Sequence, residues 1–318
     1  MKILSKDLLF SDTNKVISSG LSDEYVINYN TTRSIDYPAV TYNNGTFYFH
    51  TYSGIAFTTT DCESFSVLYS LGGTQNITLT KVIDNDIYYF GKNSNNLYIF
   101  GNSTTPKIIG TYDGGRITDA IYAANKYIVT GINGNGKGTI RLSNDLNSFS
   151  EPTIVANGIT TVCFANDFFV FGCSNGYVYT SIDGISTNNG IKTPLDNIRK
   201  IIYSDKYIAI GEHQIATSRN GIDWKIIKTY DNYSLIDIVY YNFKYAVIGS
   251  INNSTSVYIT TLDLKTFKET SFSGRSIYAN QTYPNNRIAA GNDKIVLGYK
   301  STSASNEQSG SRYSVWSI

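Results

Sequence analysis

The chain has 318 residues and a formal net charge of +1, with 26 basic and 25 acidic residues. This balance, without any run of Lys and Arg, argues against a nucleic-acid or membrane-surface partner, because both need a clustered basic excess. No stretch reaches the roughly 18 apolar residues of a membrane span, and residues 1–12 lack the apolar run of a signal peptide. We therefore expect synthesis in the cytoplasm without a secretion signal, and no membrane insertion.

From residue 35 onward the chain repeats a turn followed by a short apolar strand, about every 40 residues. Six of the seven strands close on glycine, and the closing positions are His50, Gly91, Gly131, Gly172, Gly211, Gly249 and Gly298. Such a period means that each copy is one supersecondary unit that buries its apolar surface only by packing against its neighbours.

Each repeat reads as four short strands. In residues 198–228, strands are predicted at 198–203, 207–210, 214–217 and 224–228, separated by turns rich in Asn, Asp and Gly. The turns before the second strands include Asn44-Gly45, Asn166-Asp167 and Phe243-Lys244. Runs that are apolar on both faces predict sheets that pack between sheets. Four-stranded antiparallel sheets repeated around an axis form a β-propeller.

The last copy is incomplete, because residues 287–297 supply two strands and residues 313–318 a third. We expect the fourth strand to come from residues 1–34, which would close the ring and remove its free edges. The sequence thus predicts an all-β protein in which residues 1–318 form one domain. Its seven blades comprise the repeats at 35–318 and the closing N-terminal strand. The alternative is six blades plus an N-terminal arm.

A second pattern, Ser/Thr-x-Asp/Asn-x-x-x-Phe/Trp, lies between the third and fourth strands. Its acidic or amide positions are Asp61, Asp145, Asp183, Asn220 and Asp263, of which the copy at Asp183 lacks the terminal aromatic residue. The pattern, in register with the repeat over residues 35–270, resembles the Asp-box of sialidase-like (BNR) β-propellers. The resemblance implies structural turns, in which the Asp side chain caps backbone N–H groups and the aromatic ring packs between neighbouring sheets.

The sequence offers little catalytic chemistry. It has two histidines, no paired-Cys or HExxH motif and no phosphate-binding loop before a helix, so we expect no metal site and no cofactor. Three Cys residues without tight spacing indicate buried free thiols. The Arg-Ile/Leu-Pro segment of sialidases is absent. We therefore expect no enzyme activity, and a glycoside hydrolase, which needs two facing carboxylates, is the least favoured hypothesis.

The loops after the second strands and between repeats are rich in Tyr, Asn and Gly, which offer flat ring faces and amide hydrogen bonds. The candidate ligand-binding residues in these loops are His50, Tyr52, Arg116, His213, Tyr230, Tyr233 and Tyr283. We expect the rings of Tyr230 and Tyr233 to be exposed, with packing of one of them on the next blade as the alternative. His50 is a candidate because it stands at a repeat position where the other six copies have glycine, which indicates a local change of the repeat.

The leading functional hypothesis is a non-enzymatic module that binds a cell-surface glycan or protein. The box variant SxNGxxW, the missing signal peptide and the surface rich in Asn, Tyr and Ser resemble propeller modules of phage tails and phage-derived particles. The resemblance implies a virion location and other tail or baseplate proteins as partners. The alternative is an intracellular scaffold that binds peptides or proteins on one propeller face.

Overall fold

A computed structural model describes residues 23–27, 39–50, 55–70, 76–83, 85–92, 96–100, 107–111, 113, 115–252, 255–273, 275–277, 287–301 and 311–317. Every regular element in these ranges is a β-strand. The described part of the chain has no helix long and apolar enough to cross a membrane.

Six sheets have four strands each, connected in sequence order. Blade 1 comprises β2 (Ala39–Asn43), β3 (Thr46–His50), β4 (Ile55–Thr59) and β5 (Ser66–Ser70). Blade 2 comprises β6 (Asn76–Ile83), β7 (Asp86–Lys92), β8 (Asn96–Phe100) and β9 (Lys107–Thr111). Blade 3 comprises β10 (Arg116–Ala123), β11 (Lys126–Ile132), β12 (Gly138–Ser143) and β13 (Thr153–Val155).

The remaining regular blades follow the same order. Blade 4 comprises β14 (Ile159–Ala165), β15 (Phe168–Cys173), β16 (Tyr177–Ser181) and β17 (Ile191–Lys192). Blade 5 comprises β18 (Lys200–Tyr203), β19 (Tyr207–Ile210), β20 (Gln214–Ser218) and β21 (Lys225–Thr229). Blade 6 comprises β22 (Ser234–Tyr241), β23 (Lys244–Asn252), β24 (Thr255–Thr261) and β25 (Lys268–Ser273).

The two chain ends meet in a further sheet, here called the closing sheet. It contains β1 (Asp23–Ile27), β26 (Arg275–Ser276), β27 (Ile288–Gly291), β28 (Lys294–Ser301) and β29 (Ser311–Ser317). β1 pairs antiparallel with β29, with Tyr25 opposite Tyr313. The predicted pairing between an N-terminal strand and the end of the chain is therefore confirmed.

The innermost strands of the sheets contact one another around the axis, in the order β2, β6, β10, β14, β18, β22, β27 and back to β2. The architecture is an all-β propeller, as predicted. The prediction of seven blades is corrected: the described structure has six four-stranded blades, the number in the alternative, beside the closing sheet. The last repeat does not supply four consecutive strands. Strands from both chain ends and the additional short strand β26 therefore form the closing sheet.

The second strands pack between two sheets, as their apolar pattern predicts. In β19, Tyr207 and Ala209 pack with residues of blade 4, whereas Ile208 and Ile210 pack with residues of blade 6. All four side chains are buried. Because alternate residues of a strand face opposite sides of its sheet, one strand serves two inter-blade cores.

Five of the turns that precede second strands are two-residue hairpins with positive φ at both positions, which matches the twist of the strands. Their residues are Asn44-Gly45, Ala124-Asn125, Asn166-Asp167, Asn242-Phe243 and Asn292-Asp293. The turn at Asn242-Phe243 lies one residue earlier than the predicted Phe243-Lys244, because Asn adopts the left-handed conformation more readily than Lys.

Two of the closing glycines, Gly131 and Gly249, lie where another backbone approaches. A Cβ atom at Gly131 would lie 2.5 Å from the Arg116 carbonyl oxygen, whereas one at Gly249 would lie 3.0 Å from the Ser234 carbonyl oxygen. We expect Gly131→Ala to lower the free energy of unfolding by about 1–3 kcal/mol, because overpacking moves the paired strands apart. Gly249→Ala should lower the free energy of unfolding by a smaller amount. Denaturant melts of both variants check this order, and an equal or reversed loss would contradict it.

Candidate functional site

The five boxes share one hydrogen-bond arrangement. In the first, Asp61 Oδ1 accepts the backbone N–H groups of Glu63 and Ser64, both at 2.8 Å, and the Thr59 hydroxyl at 2.9 Å. The equivalent residues Asp145, Asp183, Asn220 and Asp263 accept N–H groups two and three residues ahead in the same way. Each of these side chains therefore accepts backbone N–H groups of its own turn.

The boxes also anchor the inter-blade cores. Phe65 is buried among residues of blade 1 and the closing sheet, and Trp224 lies between blades 4 and 5, where its Nε1 donates to the Gly221 carbonyl at 3.0 Å. In both boxes the aromatic ring therefore packs between neighbouring sheets. The Oδ1 atoms of the box Asp and Asn residues accept hydrogen bonds from their own turns, which gives these atoms a structural role.

The loops form two opposite faces of the ring. On one, here called the box face, the box turns meet the hairpin turns that precede the second strands: Asn292 Nδ2 donates to the Thr60 carbonyl at 3.3 Å. On the other, here called the recess face, the loops after second strands meet the loops between blades. There His213 Nδ1 lies 2.7 Å from the Tyr233 carbonyl oxygen.

The recess face carries a cavity of about 710 Å³ between blades 5 and 6, here called the recess. It is lined by Arg199, Glu212, His213, Asp231, Asn232, Tyr233, Ser234, Ser250, Ile251 and Asn252. Arg199 Nη2 pairs with Glu212 Oε1 at 3.1 Å, while Arg199 Nε has no hydrogen-bond partner among the described residues. The recess thus combines one aromatic ring with both charged and neutral hydrogen-bonding groups.

His213 presents a defined tautomer to this cavity. The Tyr233 carbonyl can only accept a hydrogen bond, so the proton of neutral His213 lies on Nδ1. Nε2 then carries the lone pair, and no contact with it is found within the described residues. A ligand hydroxyl that donates to Nε2 would complete the ring's hydrogen bonding. His213, a candidate ligand-binding residue in the sequence, thus lines the recess.

The two tyrosines of the preceding loop have different environments. Tyr233 is half-buried and lines the recess, and its hydroxyl donates to Glu269 Oε2 at 3.0 Å. Tyr230 stacks on it with ring centroids 5.1 Å apart but is only 6% exposed. Tyr230 thus follows the alternative expectation, because its ring packs on the next blade among residues such as Leu235. Its N–H donates to the His213 carbonyl at 2.8 Å.

His50 does not reach the surface either. It is 1% exposed, contacts Thr80 of blade 2 and stands edge-on to Tyr89. Burial, with a smaller contribution from the positive charge of Arg287, lowers the pKa of His50 to about 3. The predicted ligand role of His50 is corrected: the ring is a neutral packing group between blades 1 and 2. Glycine is not required here, so a larger ring fills the inter-blade space.

Arg116 begins β10 and is half-buried. Burial, followed by the nearby positive charge of Arg199, lowers the pKa of the Arg116 guanidinium. The two arginines, 83 positions apart in the chain, are therefore close enough to interact electrostatically. Tyr52 and Tyr283, also predicted to bind ligand, lie outside the described residues.

Sequence reasoning missed a buried charge network along the inner strands. Asp119 pairs with Lys81 of blade 2 at 2.7 Å, and its Oδ2 accepts the Thr161 hydroxyl and the Val162 N–H of blade 4, both at 3.0 Å. Asp237 makes equivalent contacts: it forms an ion pair with Lys200 at 3.7 Å and accepts a hydrogen bond from the Arg287 N–H at 2.9 Å. These carboxylates join three consecutive sheets each. The only indication of this network in the sequence was an Asp that alternates with apolar residues in a predicted inner strand.

The three cysteines are buried free thiols, as predicted. Within the described ranges, no group of three or more His, Cys, Asp and Glu side chains could hold a metal ion.

No protein-family model and no curated protein matches the sequence. Among solved structures, YCF48 bound to D1 peptide is similar, with a TM-score of 0.61, 10% identity and coverage of 96% of this chain and 98% of that chain. The computationally designed Ika8 protein is similar with a TM-score of 0.56, 10% identity and coverage of 90% and 97%. At these identities the likeness shows the fold alone, and the chain is accordingly a β-propeller whose architecture is consistent with a binding or interaction module.

Proposed function

We propose that this protein is a non-enzymatic binding module that takes a neutral, polyhydroxylated glycan in the recess. The observation that carries the proposal is the composition of the lining. The half-buried ring of Tyr233 stands beside Asn232, Ser234 and the free Nε2 of His213. Sugars present an apolar ring face and alternating hydroxyl donors and acceptors, so they match a ring with amides and hydroxyls around it.

The charges of the recess support an uncharged ligand. Arg199 is paired with Glu212, and Asp231 adds an exposed carboxylate, so the lining presents both signs of charge. A ligand with a net charge would meet a group of the same sign at short range, whereas a neutral ligand meets both donors and acceptors.

The setting that we propose is a phage tail or phage-derived particle, in which the module recognises a glycan or protein on a cell surface. This part of the proposal is supported by the sequence resemblance to tail propellers. A peptide is the second candidate ligand, because the similar structure of YCF48 contains a bound peptide. Tail or baseplate proteins are the proposed partners, and release with the particle requires no signal peptide.

Glycan-array binding with the Tyr233→Ala variant tests the proposal. We expect the variant to lose about tenfold in affinity, because it removes an aromatic face and leaves the sugar with fewer contacts. Tyr240→Ala is the matched control, since Tyr240 is exposed at the end of β22, away from the recess. It should bind like the unmodified protein.

Three results would contradict the proposal: no binding to any glycan or intact cell, equal losses in the two variants, or selective binding of synthetic peptides in the recess. Release of reducing sugar from a bound glycan would contradict the non-enzymatic part.

A further inference from the structure

A second concave surface lies on the box face, between blades 4 and 5, and we call it the groove. Its volume is about 850 Å³, and it is lined by Asn166, Asp167, Phe168, Thr180, Ser181, Ile182, Asp183, Ser186, Asn220 and Ile222. Ile182 is 81% exposed and Ile222 37% exposed, and Phe168 is half-buried beside them. Apolar side chains in a concave surface site mark a place where another molecule is bound.

The fold does not require apolar residues at these positions. Ile182 is the second residue of its box, where blades 1 and 3 have Thr60 and Asn144. Ile222 is the fifth residue of its box, where blade 3 has Asn147. The boxes share the same turn hydrogen bonds whichever residue is present. The exposed isoleucines are therefore not explained by turn geometry.

Blade 6 also has exposed apolar residues on the box face. Leu262, at the same box position as Ile182, is 69% exposed, and Phe243 is 82% exposed. Phe243 has a φ of 59° in its hairpin turn, where the other described turns have Gly45, Asn125, Asp167 and Asp293. A bulky residue in this conformation costs free energy, and full exposure gives no packing in return within the described structure. Apolar residues on blades 4, 5 and 6 thus share one face.

The charged residues that line the groove are all acidic. Its lining has two carboxylates, Asp167 and Asp183, and no basic residue. Hydrogen bonds from Ser186, Ile185 and Ser181 lower the pKa of Asp183, so this side chain stays ionised. The nearby Lys126 of blade 3 donates to the Asp183 carbonyl at 3.3 Å and does not line the groove. An occupant that matches both features carries apolar side chains and a positive charge.

We propose that the groove binds a polypeptide segment of a partner protein that has bulky apolar residues and an adjacent Lys or Arg. Its apolar side chains cover Phe168, Ile182 and Ile222, and its cation pairs with Asp167 at the rim. This site lies on the face opposite the recess, so the inference does not depend on the glycan proposal. The chain would then hold a ligand on one face and a protein partner on the other.

Selection of a displayed library of random dodecapeptides on the purified protein tests the inference. We expect enriched peptides to contain at least two bulky apolar residues and a Lys or Arg. The double variant Ile182→Asn, Ile222→Asn, which uses the residues of blade 3 at both positions, should weaken the selected peptides about tenfold or more. Asp167→Asn replaces the carboxylate by an uncharged amide at a residue type that tolerates positive φ, and it should weaken the selected peptides about two- to fivefold.

Ile108→Asn is the matched control, because Ile108 is 59% exposed on the outer strand β9. It should leave peptide binding unchanged, and thermal melts should show that all variants fold. The inference is overturned if the enriched peptides lack the apolar and basic pattern, or if the double variant and the control bind equally. It is also overturned if the unmodified protein is a dimer that the double variant dissociates, since the occupant would then be a second copy of this chain.

Discussion

Asp119→Ala is expected to lower the free energy of unfolding by about 3–5 kcal/mol, because it removes one partner of a buried ion pair and leaves the other charge uncompensated. The carboxylate side chain is 3% exposed and pairs with Lys81 of blade 2 at 2.7 Å. It also accepts hydrogen bonds from Thr161 and Val162 of blade 4. The substitution therefore loosens three neighbouring blades at once. Chemical denaturation monitored by tryptophan fluorescence measures the loss.

The pH dependence of stability gives a second readout of this residue. Burial by itself raises the pKa of Asp119, but the positive charges of Lys81 and Lys200 outweigh it and hold the pKa below its ordinary value. A lowered folded pKa stabilises the protein above the unfolded pKa, and this contribution is lost as the pH falls through the folded value. Asp119→Asn should remove that acid-dependent component.

Asp113→Ala serves as the control, since Asp113 is exposed in the loop before blade 3. Its stability should stay within about 0.5 kcal/mol of the unmodified protein. A loss below about 1 kcal/mol for Asp119→Ala would show that the inner-strand network contributes little.

Deletion of residues 1–34 is expected to lower the melting temperature by about 5–10 °C or more. β1 contributes five paired residues to β29, and loss of about five hydrogen bonds corresponds to roughly 3–5 kcal/mol. The deletion also leaves β29 as an open edge, which promotes self-association. Differential scanning calorimetry and light scattering measure the two effects.

A shorter deletion of residues 1–20 leaves the strand at Asp23–Ile27 in place. It should melt like the full chain. If deletion of residues 1–34 left the melting temperature unchanged, the N-terminal strand would have no part in closing the ring.

The binding surfaces could be predicted only in part. His213 and Tyr233, two of the candidate ligand-binding residues, line the recess. His50 and Tyr230, chosen by the same reasoning, are buried. A residue type and a loop assignment do not fix exposure, because the neighbouring blade decides which side of a loop is covered. The groove was missed because its lining comes from two boxes and one hairpin turn of different repeats.

Features that depend on a few consecutive residues could be predicted from the sequence. Alternation and turn chemistry specified the four-strand repeats, and the Asp61 type of box specified its own hydrogen bonds. Contacts between blades could be seen only in the folded protein. They include the ion pair of Asp119 with Lys81, the irregular closing sheet, the recess and the groove. Local hydrogen bonds are set by chain connectivity, whereas contacts between residues about 40 positions apart depend on how the sheets pack around the axis.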